Sequence, residues 1–132
     1  MMLDEVEAAK NANPTQPGPS IFERIASGEI PSEKIYSDDD IMIIKDIQPV
    51  AKKHFLAFLK KNKIHKLSNL KEEQSDLMAK LMLKASQIGN KECPEGFRVI
   101  INNGKHGCQS VYHLHIHIIG GEQLGWYHND NK

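Results

Sequence analysis

Three histidines occupy alternate positions near the C-terminus, at His113, His115 and His117. The residues between them are bulky and apolar, so the segment from 110 to 121 has the period of two that is typical of a half-buried β-strand. The three imidazoles are therefore predicted to project from one face of a strand, with the apolar residues filling a core behind it. Because imidazole titrates near neutral pH, such a row indicates a site for chemistry rather than an ordinary solvated surface.

Two kinds of site fit a row of imidazoles. Zinc binds imidazole nitrogen, but the outer two histidines begin about 13 Å apart on a flat strand, and no cysteine set or HExxH helix accompanies them. A phosphoryl group spreads its charge over several oxygens and takes donors from more than one side. The middle histidine can attack phosphorus as a neutral nucleophile while protonated neighbours hold the oxygens. A phosphate site is favoured, and a metal site and solvated strand histidines remain as alternatives.

The loop before the histidines carries further groups that can bind an oxyanion. Residues 102–110 contain two glycines, the amide of Asn102 and the hydroxyl of Ser110. Flexible backbone N–H groups in such a loop can surround a phosphate. The signal is weak by itself, because Asn-Gly is also an ordinary turn sequence.

The composition argues against several classes of partner. The 132 residues suffice for one domain with a single core, and 17 basic residues balance 17 acidic ones. Without a net field, we expect neither nucleic acid nor a membrane surface as a partner. No apolar run approaches the roughly 20 residues of a membrane helix, and the first residues lack a signal-peptide pattern. Cys93 and Cys108 form no CxxC pair, which indicates a reducing compartment, the cytoplasm or the nucleus.

The N-terminal part of the chain differs from the rest. Residues 1–12 can form a short frayed helix, and residues 13–20 are a proline-rich linker. We therefore predict a flexible N-terminal extension over residues 1–19 and a single domain over residues 20–132. Ser20 and Glu23 have the spacing of a capping box, which predicts a short helix over 21–26 that ends at Gly28.

The remaining pattern predicts an α+β fold with a five-stranded antiparallel meander sheet, one long helix and the short N-terminal helix. The long helix is predicted over residues 70–90 from its apolar stripe. The predicted strands are residues 34–37, 41–46, 54–59, 97–102 and the histidine segment.

The segment from His113 to Ile119 resembles the His-φ-His-φ-His-φ-φ signature (φ, apolar) of the histidine-triad family of nucleotide-binding hydrolases and transferases. Gly120-Gly121, followed by Gln123 and Trp126, is similar to the Hint branch, whereas the transferase branch carries glutamine at the position of His117. Further segments that resemble the family are Ile21-Phe22, Gly28-Glu29-Ile30-Pro31, Asp46-Ile47-Gln48-Pro49, His54-Phe55-Leu56, Arg98, Asn102 and Gln109-Ser110-Val111-Tyr112.

The resemblance implies an activity and an assembly. It implies hydrolysis of the P–N bond of nucleoside 5′-phosphoramidates, such as adenosine 5′-monophosphoramidate, through a nucleotidyl-histidine intermediate. The products are a purine nucleoside monophosphate and an amine, and neither a metal nor a cofactor takes part. It also implies a homodimer whose two sheets continue across the interface.

The resemblance further implies catalytic roles. His115 would be the nucleophile, and His113 and His117 would bind the phosphate oxygens. Ser110 would form a hydrogen bond near the scissile bond, and His54 would orient the triad from a neighbouring strand.

Nucleotide-binding roles follow in the same way. Asp46 would accept both ribose hydroxyls, Asn102 would lie on the phosphate side, and Trp126 would reach towards the partner subunit's site. The predicted apolar walls of the base pocket are Ile21, Phe22, Ile25, Ile47 and Leu56, any of which can also be plain core. The predicted contacts from the phosphate loop are Cys108, Gln109, Ser110 and Val111.

Departures from the family pattern leave alternatives open. Cys108 stands where the family usually has glycine, and the family's additional histidine is replaced by Asn62, with His65 three residues later. The residues after Trp126 also differ from the usual proline-rich ending. A dinucleoside polyphosphate hydrolase of the sister branch is one alternative, and a zinc-binding or regulatory interaction protein is another.

Overall fold

The structure is a computed structural model that describes residues 5–126. Its three α-helices are α1 (Glu5–Asn11), α2 (Ile21–Ala26) and α3 (Ser75–Glu92). Its five strands are β1 (Lys34–Ser37), β2 (Ile41–Lys45), β3 (Lys53–Leu59), β4 (Phe97–Ile100) and β5 (His115–Gly120). Two short 3₁₀ turns, Leu67–Asn69 and Glu72–Gln74, precede α3.

The strands form a single antiparallel sheet in the order β1-β2-β3-β5-β4. The predicted α+β class, with five antiparallel strands and one long helix, is confirmed. The order departs from a simple meander at one point, because α3 carries the chain from β3 to the far edge before β5 returns between them. As a result β5 is paired on both sides, which holds the histidine strand more firmly than an edge position would.

Each face of the sheet packs against a different helix. Because side chains alternate along a strand, β3 and β5 contribute to both faces. The first apolar cluster lies between the sheet and α3, and contains Ile41, Ile43, Phe55, Ala57, Leu59, Ile64, Leu81, Ala85, Ile88, Leu114, Ile116 and Ile118. The second lies between the sheet and α2, and contains Phe22, Ile25, Met42, Ile44, Leu56 and Phe58.

The predicted capping box at the start of α2 is confirmed. Ser20 Oγ accepts the backbone N–H of Glu23 at 3.1 Å, and the Glu23 carboxylate accepts the backbone N–H of Ser20 at 2.8 Å. The chain leaves the helix at Gly28, whose φ of 89° suits glycine. A six-residue helix needs such support, because one turn and a half forms few internal hydrogen bonds.

Two predicted element starts are wrong, for local reasons, whereas the other predicted bounds of the long helix and the strands lie within about two residues of the observed ones. The long helix begins at Ser75 rather than at residue 70, because the chain over 67–74 forms the two 3₁₀ turns instead. The histidine strand begins at His115 rather than at residue 110. Ahead of it, Leu114 N–H donates to the Ile64 carbonyl oxygen at 2.7 Å, and the carbonyl of His113 accepts from a side chain, so neither group joins a strand ladder.

The N-terminal helix α1 occupies part of the predicted extension, with Ala9 buried. The flexibility of residues 1–19 and the domain boundary at residue 20 stay predictions. The predicted helical residues 1–4 and the divergent ending after Trp126 lie outside the described residues. Among the helices that the structure does describe, none is both long and apolar enough to cross a membrane.

Candidate active site

The face of the sheet that carries α2 also carries the histidines. Strands β3 and β5 pair so that Leu56 lies opposite His117 and Phe58 lies opposite His115, and His54 follows on the same side of β3. The His115 and His117 rings are 5.1 Å apart between centroids, and the His54 and His117 rings are 5.2 Å apart. His115 and His117 project from one face of the strand as predicted, with His54 beside them. His113 precedes the strand, and its ring packs against Phe22 and Phe58 on the same face.

The neighbours of His115 determine which of its nitrogens carries the proton. Its Nδ1 lies 2.7 Å from the carbonyl oxygen of His113. A carbonyl can only accept, so Nδ1 carries the hydrogen and Nε2 keeps a lone pair. The Phe22 ring lies 4.9 Å from the His115 ring between centroids and fixes its orientation by packing. A buried, neutral imidazole with a free lone pair is what a nucleophile requires.

A chain of hydrogen bonds sets the tautomer of His117. The backbone N–H of Val50 donates to His54 Nδ1 at 3.2 Å, so the proton of His54 is on Nε2. That nitrogen lies 2.9 Å from His117 Nδ1 and 3.3 Å from Asp46 Oδ2, and it donates to the histidine. His117 therefore carries its own proton on Nε2, where a neutral imidazole acts as a hydrogen-bond donor. The predicted orienting role of His54 fits this geometry.

His113 differs from the other two triad histidines, because protein groups engage both of its nitrogens. Its Nε2 donates to the carbonyl oxygen of Leu59 at 2.9 Å, and its Nδ1 lies 2.6 Å from Ser20 Oγ. The ring is buried, and no nitrogen is left for a ligand. The predicted contact between the His113 side chain and phosphate oxygens is therefore wrong. The residue instead supplies the carbonyl oxygen that orients His115.

Burial keeps the whole cluster neutral. Loss of hydration lowers the pKa of His113 to about 4. The same cause, together with the neighbouring His115 and His54, lowers the pKa of His117 to about 3. Burial also lowers the pKa of His54 and His115, and the Asp46 carboxylate opposes that shift in both. The expectation of protonated neighbours around the nucleophile is wrong, since the lowered pKa of His117 makes it donate as a neutral ring.

The predicted base-pocket residues fall into two groups. Phe22, Ile25 and Leu56 belong to the buried cluster beneath α2, where the Phe22 and Phe58 rings stack at 4.7 Å, and Val111 packs against the same cluster. In contrast, Ile47 is 90% exposed and Ile21 is 46% exposed. An apolar side chain as exposed as Ile47 is available to a ligand, whereas the buried residues form the floor behind the imidazoles.

Asp46 directly follows β2 and has two contacts within the protein. Its Oδ1 accepts the backbone N–H of Gln48 at 2.8 Å, and its Oδ2 lies beside His54. The first contact is that of a turn residue, and the second links the carboxylate to the histidine chain. Asp46 thus fits both interpretations that the sequence allowed, and the contact with ribose stays a prediction.

The phosphate loop is held by its own side chains. Gln109 is buried, with Nε2 donating to the carbonyl oxygens of His65 and Val111 and Oε1 accepting the N–H of Gly104. Both hydrogens of its amide are used within the protein, so the Gln109 side chain has no N–H left to donate to a nucleotide. Cys108 adopts a φ of 67°, a left-handed conformation that explains why glycine suits the position.

Three further predicted residues lie at the margins of the site. Asn102 Nδ2 donates to the Cys108 carbonyl oxygen at 3.4 Å within the loop. Ser110 Oγ donates to the Glu5 carboxylate of α1 at 3.3 Å, so it contacts the N-terminal helix rather than a histidine. Trp126 is 87% exposed, and its contact with a partner subunit stays a prediction.

Sequence reasoning missed three groups that determine the tautomers of His113 and His54: the Ser20 hydroxyl, the Val50 N–H and the Leu59 carbonyl. The capping box identified Ser20 as a helix cap, but no sequence signal links it to His113. The other two are backbone groups, which any residue type supplies, so sequence gives no signal for them.

One set of donors in the site fits a metal. Ligand atoms of Asp46, His54 and His117 lie within 4.8 Å of one another. Two imidazoles and a carboxylate are common zinc ligands. An ion here would have to displace the proton of His54 Nε2, and it would use one triad histidine rather than the row of three.

Comparisons with known proteins show which family this chain is similar to. A model of the family described as "Scavenger mRNA decapping enzyme C-term binding" matches residues 19–128. Adenylylsulfatase HINT1 of Arabidopsis thaliana is 41% identical over 128 residues, 96% of this chain and 86% of that protein. A 14 kDa zinc-binding protein of Brassica juncea is 40% identical over 109 residues, 81% of this chain and 96% of that protein.

A solved structure agrees with the sequence matches. The HIT family hydrolase from Legionella pneumophila Philadelphia 1 has a TM-score of 0.78 at 34% identity, over 82% of this chain and 97% of that one. The family model spans most of the chain, and the histidine site is built on the strands that carry the motif. This chain therefore belongs to the histidine-triad family of hydrolases, in its Hint branch.

Proposed function

We propose that this protein hydrolyses the P–N bond of purine nucleoside 5′-phosphoramidates, with His115 as the nucleophile. The observation that carries the proposal is the hydrogen bond from His115 Nδ1 to the His113 carbonyl oxygen at 2.7 Å. It leaves the Nε2 lone pair as the only free position on the ring, and burial keeps that nitrogen unprotonated at neutral pH by lowering the pKa of His115.

The reaction proceeds in two displacements. His115 Nε2 attacks phosphorus, and the electron pair of the P–N bond moves to nitrogen, which takes a proton from solvent and leaves as the amine. Water then attacks the phosphorus of the nucleotidyl-histidine, releases the nucleoside monophosphate and returns a proton to solvent. The Nε2–H of His117 donates to a phosphoryl oxygen as charge develops there.

The nucleoside part of the substrate is supported by the surroundings of the site. The exposed side chains of Ile21 and Ile47 offer apolar surface for a flat base. The Asp46 carboxylate has lone pairs left to accept ribose hydroxyls while it accepts the Gln48 N–H. The name of one relative, an adenylylsulfatase, also supports a nucleotide substrate.

The decisive experiment replaces the nucleophile. His115→Ala should lower kcat on adenosine 5′-monophosphoramidate by several orders of magnitude, because the covalent step is lost. His106→Ala is the matched control, since His106 is an exposed histidine in the loop before the site. Quenching in denaturant at alkaline pH during turnover should trap labelled nucleotide on the wild-type protein and none on His115→Ala, because a P–N bond to histidine survives base but not acid. Near-normal turnover of His115→Ala would refute the proposal.

Two other classes of substrate, with different leaving groups, are alternatives to the phosphoramidate. A dinucleoside polyphosphate offers a P–O–P bond, and the name of the Arabidopsis relative suggests adenylylsulfate as a further candidate. Values of kcat/KM for the three substrates, measured side by side on the wild-type protein, distinguish them. A phosphoramidate that is hydrolysed more slowly than either alternative would reassign the leaving group and keep the nucleophile.

Zinc binding is a second candidate function, and the cluster of Asp46, His54 and His117 favours it, as does the name of the Brassica relative. Metal analysis of protein purified without a histidine tag, with activity assayed in chelator, tests it. Stoichiometric zinc together with activity that chelator abolishes would overturn the proposed metal-free mechanism.

We further infer a homodimer that extends the sheet along β4. Among the described strands, β4 pairs with β5 on one side and has no partner on the other. Val99 on this strand is 40% exposed, which is high for a strand valine. A second copy would pair this edge and cover that apolar side chain.

A further inference from the structure

The hydroxyl of Ser20 makes two hydrogen bonds of opposite direction. It accepts the backbone N–H of Glu23 at 3.1 Å as the cap of α2, and it lies 2.6 Å from His113 Nδ1. Because His113 Nε2 donates to the Leu59 carbonyl oxygen, Nδ1 carries no proton and must accept. The Ser20 hydroxyl therefore donates its hydrogen to His113.

This contact connects the start of α2 with the nucleophile. The carbonyl oxygen of His113 holds the Nδ1–H of His115 at 2.7 Å, so the placement of His113 determines how His115 is presented. The His113 ring is held at both nitrogens. Leu59 holds it through a backbone carbonyl and Ser20 through its side chain. Removing its hydrogen bond frees one end of the ring.

We propose that Ser20 is a positioning residue of the active site, acting as a proton donor that anchors His113 and thereby orients the attacking nitrogen of His115. The proposal rests on the proposed hydrolysis through His115. Helix capping alone needs only an acceptor at this position, so the donor half of the interaction is the additional function.

The chemistry of the position restricts which residues can replace serine. A hydroxyl both accepts and donates without charge, and threonine shares that property. Aspartate caps a helix as well as serine does, but it cannot donate when ionised. An aspartate here would also place a second carboxylate beside Glu23, which already has Lys63 Nζ at 3.3 Å. Aspartate therefore separates capping from donation, whereas alanine would remove both.

The experiment compares Ser20→Thr with Ser20→Asp. Ser75→Asp is the control for added charge, since Ser75 is an exposed serine at the start of α3. We expect Ser20→Asp to remain folded and to lose roughly 10- to 100-fold in kcat on the phosphoramidate, as a misplaced reacting group does. Its KM should change by less than about threefold, because α2 still covers the apolar cluster. Ser20→Thr should retain most of the activity.

A second readout needs no substrate. In ¹⁵N NMR spectra of the wild-type protein, His113 Nδ1 should have the shift of an unprotonated, hydrogen-bonded nitrogen. In Ser20→Asp, an ionised carboxylate cannot donate to Nδ1, so this nitrogen should lose its hydrogen bond and its shift should move to that of an unbonded lone pair. Equal kcat for the Asp and Thr variants, or a His113 spectrum that Ser20→Asp leaves unchanged, would overturn the proposal. Failure of the proposed function would appear differently, as wild-type protein that does not turn over the phosphoramidate although its His113 Nδ1 is unprotonated and hydrogen-bonded.

Discussion

At the scale of single residues, hydrogen bonds rather than charge organise this site. Four imidazoles are held in defined tautomers. The Ser20 hydroxyl and the Leu59 carbonyl hold His113, the His113 carbonyl holds His115, and the Val50 N–H holds His54, which in turn donates to His117. Burial costs each ring its hydration and keeps it neutral. The site therefore has a free lone pair on His115 and a donor on His117 before a substrate arrives. Such preorganisation means that little rearrangement is needed during the reaction.

The neutral cluster predicts how stability depends on pH. His113 and His117 have folded-state pKa values of about 4 and about 3, below the roughly 6.5 of an unfolded histidine. The unfolded chain therefore binds more protons below pH 6.5, and the free energy of unfolding should fall as the pH falls from about 6.5 towards 4. Urea unfolding at pH 7.5, 6.5, 5.8 and 5.2 measures this dependence, and the curve should be flat above pH 7.

A single substitution assigns part of that dependence. His117→Gln removes one depressed group but keeps a polar side chain, so the decline between pH 6.5 and 5 should become smaller by about 1–2 kcal/mol. His106→Gln, the same substitution at an exposed position, is the matched control. An identical decline in wild type and His117→Gln would contradict the assignment.

At the scale of elements, the sequence predicts best what short-range pattern determines. The capping box of Ser20 and Glu23 and the one-sided histidine row both follow from residues a few positions apart, and both are confirmed. The starts of α3 and β5 depend on tertiary hydrogen bonds, such as that from Leu114 N–H to Ile64, which local pattern does not reveal. For the same reason the sequence predicts a nucleotide contact for Gln109, although its amide is used within its own loop.

Helix α3 supports the site from behind, and its contact with β4 depends on a glycine. A β-carbon at Gly89 would lie 2.6 Å from the ring of Phe97 on β4. Gly89→Ala should therefore lower the free energy of unfolding by about 1–2 kcal/mol, even though alanine favours the helix by about 1 kcal/mol. Urea denaturation measures the change. Gln87→Ala, at an exposed position of the same helix, should stay within about 0.5 kcal/mol of wild type. A Gly89→Ala protein as stable as wild type would show that the helix and β4 can separate without cost.

At the scale of the whole molecule, the two faces of the sheet differ in what they pack against and in what they carry. One face packs on α3 and supplies the larger apolar core, and the other carries α2, the histidines and the smaller cluster. This division follows from the alternation along β3 and β5 and is largely visible in the sequence. The position of β5 between β3 and β4 is not, because the length of a connection does not determine on which side of a strand the chain returns.

The unpaired edge of β4 predicts the assembly state. The wild-type protein should have twice the chain mass of 14.9 kDa by light scattering at micromolar concentration. Val99→Lys should shift it towards the monomer, because a twofold axis would bring two like charges together. Leu83→Lys, an exposed apolar position on α3, is the comparison and should remain dimeric. A wild-type mass of one chain would exclude the dimer.

The pairing of β3 with β5 has a practical consequence for anyone who prepares this protein. Leu56 lies opposite His117 and Phe58 opposite His115, so a slip of one residue would turn His115 and His117 towards α3 and place Ile116 at the proposed substrate site. A slipped molecule would therefore be inert rather than merely slower. Under the proposed mechanism, the number of covalently bound nucleotides per chain therefore measures the fraction of molecules with native strand pairing. The same count measures the yield of a refolding experiment.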